Sequence, residues 1–268
     1  MTGAAEGGSI AFDRAAGYYD QSRGLPAGVD ELVADRVEAA VGDDGRLLEL
    51  GVGTGRIALP LHRRGRRIVG VDLSLPMLDR YRAKAAALGL PSPAVVRADA
   101  TRLPFRAACV DAVLEVHVLH LVPAWREALA EARRVLVPGG VVLVGRGGRD
   151  HGDGPREQVR RRFDELAAAA GGGRQRVGVR DDAEKVEALV ALGGVAEELE
   201  PVTWEEQETY AQALRVVEGR VFSYQWRLPD EVWQAAVTRL RAELRDSVPD
   251  LDAPHASRHT FTLTAVRF

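Results

Sequence analysis

The chain has one cysteine among 268 residues, which excludes an internal disulfide. That residue, Cys109, opens the apolar stretch AACVDAVLEV and reads as a small buried hydrophobe rather than a nucleophile. No apolar run approaches the length of a membrane-spanning helix. The opening MTGAAEGGSI has neither the basic nor the apolar block of a signal peptide, so a cytoplasmic protein with no membrane partner is expected. Neither charge dominates: 36 Lys and Arg against 39 Asp and Glu give a net charge of -3. Bulk electrostatics therefore give no reason to expect a nucleic-acid partner. The arginine runs RRGRR (63–67) and VRRRF (159–163) read as solvated helix ends or faces. His151, His255 and His259 lack the spacing of a metal site, and no metal is expected. There is no internal repeat.

What the chain does have is alternation. GRLLELGVG, RRIVGVDLS, PAVVRADATRLPF, CVDAVLEVHVLHLV and VVLVG read as strands. RIALPLHRRG, LPMLDRYRAKAAALG and PAWREALAEARRVLVPGG read as helices, and an amphipathic stretch from Asp30 to Val41 precedes them. This pattern over the first 145 residues predicts an α/β, doubly wound, mainly parallel sheet. Farther on, REQVRRRFDELAAAAG and DDAEKVEALVALGG read as helices and VAEELEPVTWEE as one strand. A helical stretch from about 207 to 248 follows, and SRHTFTLTAVRF closes the chain as a strand. Residues 1 to about 9, small and polar, are expected to be disordered.

The chemistry gathers first around LELGVGTGRIALPL, where Glu49, Gly51, Gly53 and Gly55 follow the pattern E-x-G-x-G-x-G. Glycines suit a turn whose backbone takes positive φ or passes close to a ligand, and the helix behind them offers free N–H groups. A dinucleotide loop spaces its glycines G-x-G-x-x-G; here the third glycine comes one residue early and an acid precedes the first. That acid suits a ligand bearing an ammonium group. Asp72, ending the second strand in VGVDLS, can accept both hydroxyls of a ribose, or it can cap the next helix in competition with Ser74. Asp99 in RADATRLPF can accept an amino group or serve the turn.

With these motifs in order from Phe12 to Gly145, the sequence resembles the class I S-adenosylmethionine-dependent methyltransferases, in the small-molecule branch that includes the ubiquinone and menaquinone type. LLELGVGTGRIALPL, IVGVDLSLPMLDRYRAKA, VVRADATRLPF, VDAVLEVHVLHLVPAWREALAEARRVLVPGGVVLVG and the upstream FDRAAGYYDQSRG carry the likeness. The resemblance implies a Rossmann-like, seven-stranded sheet with an antiparallel C-terminal strand. It implies one methyltransferase domain over 1–268, with an N-terminal helical lid at 1–40, a cofactor core at 45–145 and a helical cap insertion at 207–250. S-adenosylmethionine is the implied cofactor. Glu49, Gly51, Gly53 and Gly55 would hold its methionine part, and Asp72 its ribose. Leu73 and Met77 would pack on the adenine, Asp99 and Ala100 would meet its amino edge, and Glu115 and Val116 would lie beside the methionine. Tyr19 and Arg23 would close over the site, with Tyr18 the alternative to Tyr19.

The implied reaction is in-line methyl transfer to a small-molecule acceptor. Among His117, His120 and Glu115, His117 is the candidate base or acceptor contact, with a packed or partly exposed residue as the alternative. Tyr210, Phe222, Tyr224, Trp226 and Trp233 of the cap are expected either to line an acceptor pocket or to pack the cap. Two other readings stay open: a nucleic-acid methyltransferase and a cofactor-binding protein that does not methylate. The first lacks the Asn/Asp-Pro-Pro-Tyr/Phe motif after the fourth strand, where the chain reads EVHV.

Overall fold

The computed structural model of the chain describes residues 8–17, 19–150, 154–173 and 177–268. Residues 1–7, Tyr18 and His151 lie outside them. Helices α1 (Tyr19–Arg23) and α2 (Val29–Val41) lead into β1 (Leu47–Leu50), α3 (Ala58–Arg63), β2 (Ile68–Asp72), α4 (Leu75–Ala87) and β3 (Ala94–Arg97). Then come β4 (Val110–Val116), α5 (Trp125–Val135), β5 (Leu136–Asp150), α6 (Pro155–Ala169) and α7 (Asp182–Ala191). Strands β6 (Val195–Glu198) and β7 (Val202–Glu208), helices α8 (Tyr210–Glu218) and α9 (Asp230–Ser247), and strand β8 (His255–Arg267) complete the chain.

The sheet order is β3-β2-β1-β4-β5-β8-β6, with β7 paired to β8. The pairs β1–β2, β1–β4, β2–β3 and β4–β5 are parallel, and β6 runs antiparallel to β8. The described residues thus hold eight strands where seven are expected. VAEELEPVTWEE supplies the extra one: Pro201 has no N–H to give a ladder, and the stretch breaks into β6 and β7 around it. The stretch from 207 breaks likewise. It begins inside β7, Thr209 caps α8 by accepting from the Gln212 amide, and Pro229 precedes α9.

Two compact units result, one of residues up to 147 with 177–202 and 261–268, the other of 148–176 and 203–260. In the first, all four residues of β1 are buried, as the central strand of a sheet covered on both faces requires. Leu48, Leu50, Val113 and Val142 of the sheet share a core with Ala128, Leu129 and Ala132 of α5 and Leu189 of α7. Each such leucine contributes about 1.5–3 kcal/mol of burial. Helix α4 starts where the Ser74 hydroxyl accepts from the Met77 amide at 3.3 Å, with a proline in its first turn. The arginine run before β2 is spent inside this unit: Arg64 pairs with Glu31, Asp35 and Glu38 of α2.

In the second unit, Val159, Phe163 and Leu166 of α6, Ala213 and Val217 of α8, and Val232, Ala236 and Leu240 of α9 form a core of their own. The three- and four-residue spacings put each set on one helix face. Arg162 of the second arginine run ties α6 to Glu243 of α9 at 2.7 Å. Trp204 of β7 lies stacked on His259 of β8. No helix among the described residues is long and apolar enough to cross a membrane. Phe163 has 0% exposure, so Phe163→Ala is expected to cost about 3–5 kcal/mol in denaturant unfolding; a loss under about 1 kcal/mol would contradict this core.

Candidate active site

In a doubly wound sheet, ligands sit beyond the carboxyl ends of the strands, where the strand order reverses. Here the reversal lies between β1 and β4, whose registers pair Leu50 with Glu115. The residues expected in the site emerge at that edge. Glu49 and the glycine loop follow from β1, Asp72 and Leu73 from β2, Asp99 and Ala100 from β3, and Glu115, Val116 and His117 from β4.

The loop does not need all its glycines for the same reason. Gly51, Gly53 and Gly55 all have positive φ, at 65°, 54° and 77°, where a side chain is strained. A Cβ at Gly51 would strike Val118 and one at Gly55 the ring of Tyr81, so these two are held by protein packing. At Gly53 the nearest atom would be Met77 Cε at 3.8 Å. A Cβ at the middle glycine would thus meet only ordinary van der Waals contact, although Gly53 is itself buried.

Asp72 ties this loop to the next one. One carboxylate oxygen accepts the Gly53 amide at 2.9 Å and the other the Ser74 amide at 2.8 Å. Because Ser74 caps α4, Asp72 is not the capping residue. Burial raises its pKa, against the opposing pull of the Ser74, Gly53 and Leu73 amides. Glu49 is more extreme. It is 3% exposed, its Oε2 has no hydrogen-bond partner, and burial pushes its pKa up to about 8 against the pull of Arg56. A buried carboxylate oxygen without a donor costs free energy, and an ammonium group placed against it would offset that cost. The residues present thus fit an amino-acid-bearing ligand.

Other expected residues are committed within the protein. Both Glu115 oxygens are taken: Oε1 accepts the Val118 and Leu119 amides at 3.1 and 3.2 Å, and Oε2 meets Lys185 Nζ at 2.5 Å. Asp99 Oδ1 accepts from the Thr101 amide and hydroxyl, both at 2.9 Å, and from Ser9 Oγ at 3.4 Å, which is the arrangement of a turn residue. His117 holds φ at 57°, uncommon outside glycine. Its Nε2 lies 3.0 Å from the Gly147 amide and 2.8 Å from the Gly147 carbonyl. Burial first, then the charge of Arg56, lowers its pKa well below the ordinary value, so the ring is neutral.

The N-terminal segment crosses the same edge. Ile10 donates to the Leu121 carbonyl at 3.1 Å. Asp20 accepts from Thr54 Oγ1 of the glycine loop at 2.6 Å and pairs with Lys84 at 3.0 Å. Arg56 donates to the Arg23 carbonyl at 3.1 Å. Tyr19 stands edge-on to Phe12. Met77, Ala100 and Val116 are buried, at 2, 8 and 6% exposure, and Leu73 is half-buried. Sequence reasoning passes over Arg56, though it adjoins the last loop glycine. It also passes over Lys185, which carries no local signal.

Residues 48–144 match the family described as a methyltransferase domain. The chain is 42% identical over 101 residues to the demethylmenaquinone methyltransferase of Thermus thermophilus, a match that covers 37% of this chain and 46% of that one. The chain spans about half the length of the curated relatives it matches. Among solved structures, the YcgJ protein of Bacillus subtilis superposes with a TM-score of 0.55 at 18% identity, covering 88% of this chain and 97% of that one. The cyclase SpnF superposes with a TM-score of 0.53 at 21% identity, over 98% of this chain and 87% of that one. At such identities the likeness is one of fold, and SpnF shows by its name that this fold serves more than one reaction. The match to the methyltransferase domain family thus covers Leu48 to Val144, the segment that carries the glycine loop and the carboxyl ends of β1 to β4.

Proposed function

We propose that the chain binds S-adenosylmethionine at the carboxyl ends of β1 to β4 and transfers its methyl group to a small-molecule acceptor. The observation that carries this reading is Glu49, a buried carboxylate with a partnerless oxygen beside a glycine loop in which no atom would crowd a Cβ at Gly53 closer than 3.8 Å. When bound, the cofactor supplies a methyl group on a sulfonium, which is displaced in line by the acceptor.

In this reading Glu49 takes the cofactor's ammonium group, and the backbone from Gly51 to Gly55 takes its amino-acid part. Asp72 receives the ribose hydroxyls, with its carboxylate already oriented by two amides. Leu73 and Met77 flank the adenine, and Asp99 and Ala100 meet its edge. Val116 and the backbone at Glu115 border the methionine, and Tyr19 and Arg23 shield the site from water. His117 is the base on this reading, and the neutral ring can accept a proton. Its lowered pKa makes it a weak base, suited to an acceptor that ionises readily. The name of the Thermus relative supports a small-molecule acceptor, as does the near balance of charge. A chain with one cysteine also suits the reducing cytoplasm.

Calorimetry tests the donor assignment. Wild type is expected to bind S-adenosylhomocysteine with a Kd of about 1–100 μM, the range of metabolite sites. Gly53→Arg, which puts a long cationic side chain into the loop beside Met77, is expected to abolish that binding, with retention of the fold read by circular dichroism. Absence of binding to wild type, or unchanged binding in Gly53→Arg, overturns the proposal.

The raised pKa of Glu49 gives two pH predictions. The folded protein keeps the Glu49 proton up to about pH 8, whereas the unfolded chain loses it near the ordinary 4.5. Between those values the unfolded state binds fewer protons, so this group's contribution to stability falls as pH rises and is lowest above 8. Glu49→Gln, without ligand, is therefore expected to melt higher than wild type above pH 8 and level with it near pH 4.5. A melting difference independent of pH would contradict the burial of the charge. An ammonium ligand favours the ionised carboxylate, so binding at neutral pH should release up to about one proton. Calorimetry in buffers of different ionisation enthalpy reads that release, and Glu49→Gln should lack it.

A further inference from the structure

The methyltransferase match ends at residue 144, yet a later helix reaches the same edge of the sheet. Lys185 of α7 is 3% exposed and Glu115 has no exposure, and their charged groups meet at 2.5 Å. Asp182, one turn earlier on α7, stands 2.7 Å from the same ammonium and also faces Arg146 of β5 at 3.4 Å. Burial pulls the Lys185 ammonium toward its neutral form, but Glu115 and Asp182 outweigh burial and hold it charged.

Fully buried ion pairs are weak devices for stability, because desolvation cancels much of their attraction. This one is also joined to a backbone turn. Glu115 Oε1 gathers the amides of Val118 and Leu119, closing the turn that holds His117 at positive φ. The side chain so fixed, Val118, is the one packed against Gly51. The segment leading into α7 grips the turn a second time: the Gly178 amide donates to the His120 carbonyl and the Val179 amide to the Leu119 carbonyl. Gly178 itself is pressed so close to the Leu119 and Val122 carbonyls that a Cβ would not fit.

We propose that Lys185 is a positioning residue for the donor site, holding the turn after β4 against the glycine loop through Glu115. The inference rests on the donor assignment made above. It gives the segment beyond the matched domain a part in binding, because α7 sets the shape of the methionine side of the site without touching the ligand.

The test compares S-adenosylhomocysteine binding by wild type, Lys185→Met and the double variant Glu115→Gln/Lys185→Met. Lys185→Met leaves a buried carboxylate without this cation and is expected to weaken binding at least about tenfold, the scale on which small misplacements act. The double variant removes both charges, while the Gln oxygen can still accept the two amides. It is expected to recover binding to within about threefold of wild type. The amide proton resonances of Val118 and Leu119, read by NMR, should move in Lys185→Met and return in the double variant. A role in stability alone would lower the melting temperature of the single variant while leaving its Kd and those two resonances in place, and that result overturns the proposal. If Lys185→Met does not fold, recovery of folding but not of binding in the double variant overturns it equally. Failure of wild type to bind would instead count against the donor assignment itself.

Discussion

The carboxylate of Asp72 is the point on which this site depends. Its two oxygens each accept one amide, from Gly53 after β1 and from Ser74 after β2. Two turns on neighbouring parallel strands are thereby locked in one relative position. Parallel strands cannot be joined by a short hairpin, so their carboxyl-end loops come from distant parts of the chain and need a tie of this kind. With that tie made, the glycine loop keeps its three left-handed residues and leaves its middle glycine free of the close contacts that Gly51 and Gly55 make. The lock costs some desolvation, seen in the raised pKa of Asp72.

Around that tie the site concentrates charge that burial opposes. Glu49 sits on the central strand with an unsatisfied oxygen, and Glu115 sits on β4, satisfied twice by amides and once by Lys185. The two acids occupy neighbouring strands yet behave differently. Glu49 carries its cost into the folded state, as a group awaiting a cation does. Glu115 has its cation built in, and its energy goes into the shape of a turn. Cationic Arg56 lies close enough to both Glu49 and His117 to lower the pKa of each.

The core of this arrangement was readable along the chain. The alternation of strands and helices, the loop from Glu49 to Gly55 and the acid at Asp72 are local signals, because a turn or a strand end is written in consecutive residues. Eight strands replaced seven because one proline, Pro201, interrupts a stretch whose β-character is otherwise continuous. Asp99 kept its turn alternative, as its contacts with Thr101 show. The arginine runs, read as solvated, are paired with carboxylates from other helices, a pairing that no residue inside the runs announces.

By itself, the sequence determined the doubly wound class, the glycine loop and the acids at its flanks. These follow from periodicity, from positive φ and from the capping competition between Asp72 and Ser74, all of which act within a few residues. Only the tertiary structure decided that a Cβ would clash at Gly51 and Gly55 but not at Gly53, that one oxygen of Glu49 is left without a donor, and that Glu115 is claimed by a lysine 70 residues away. The reason is physical: burial and the pairing of charges depend on which surfaces the fold brings together, and those surfaces come from segments that are remote along the chain.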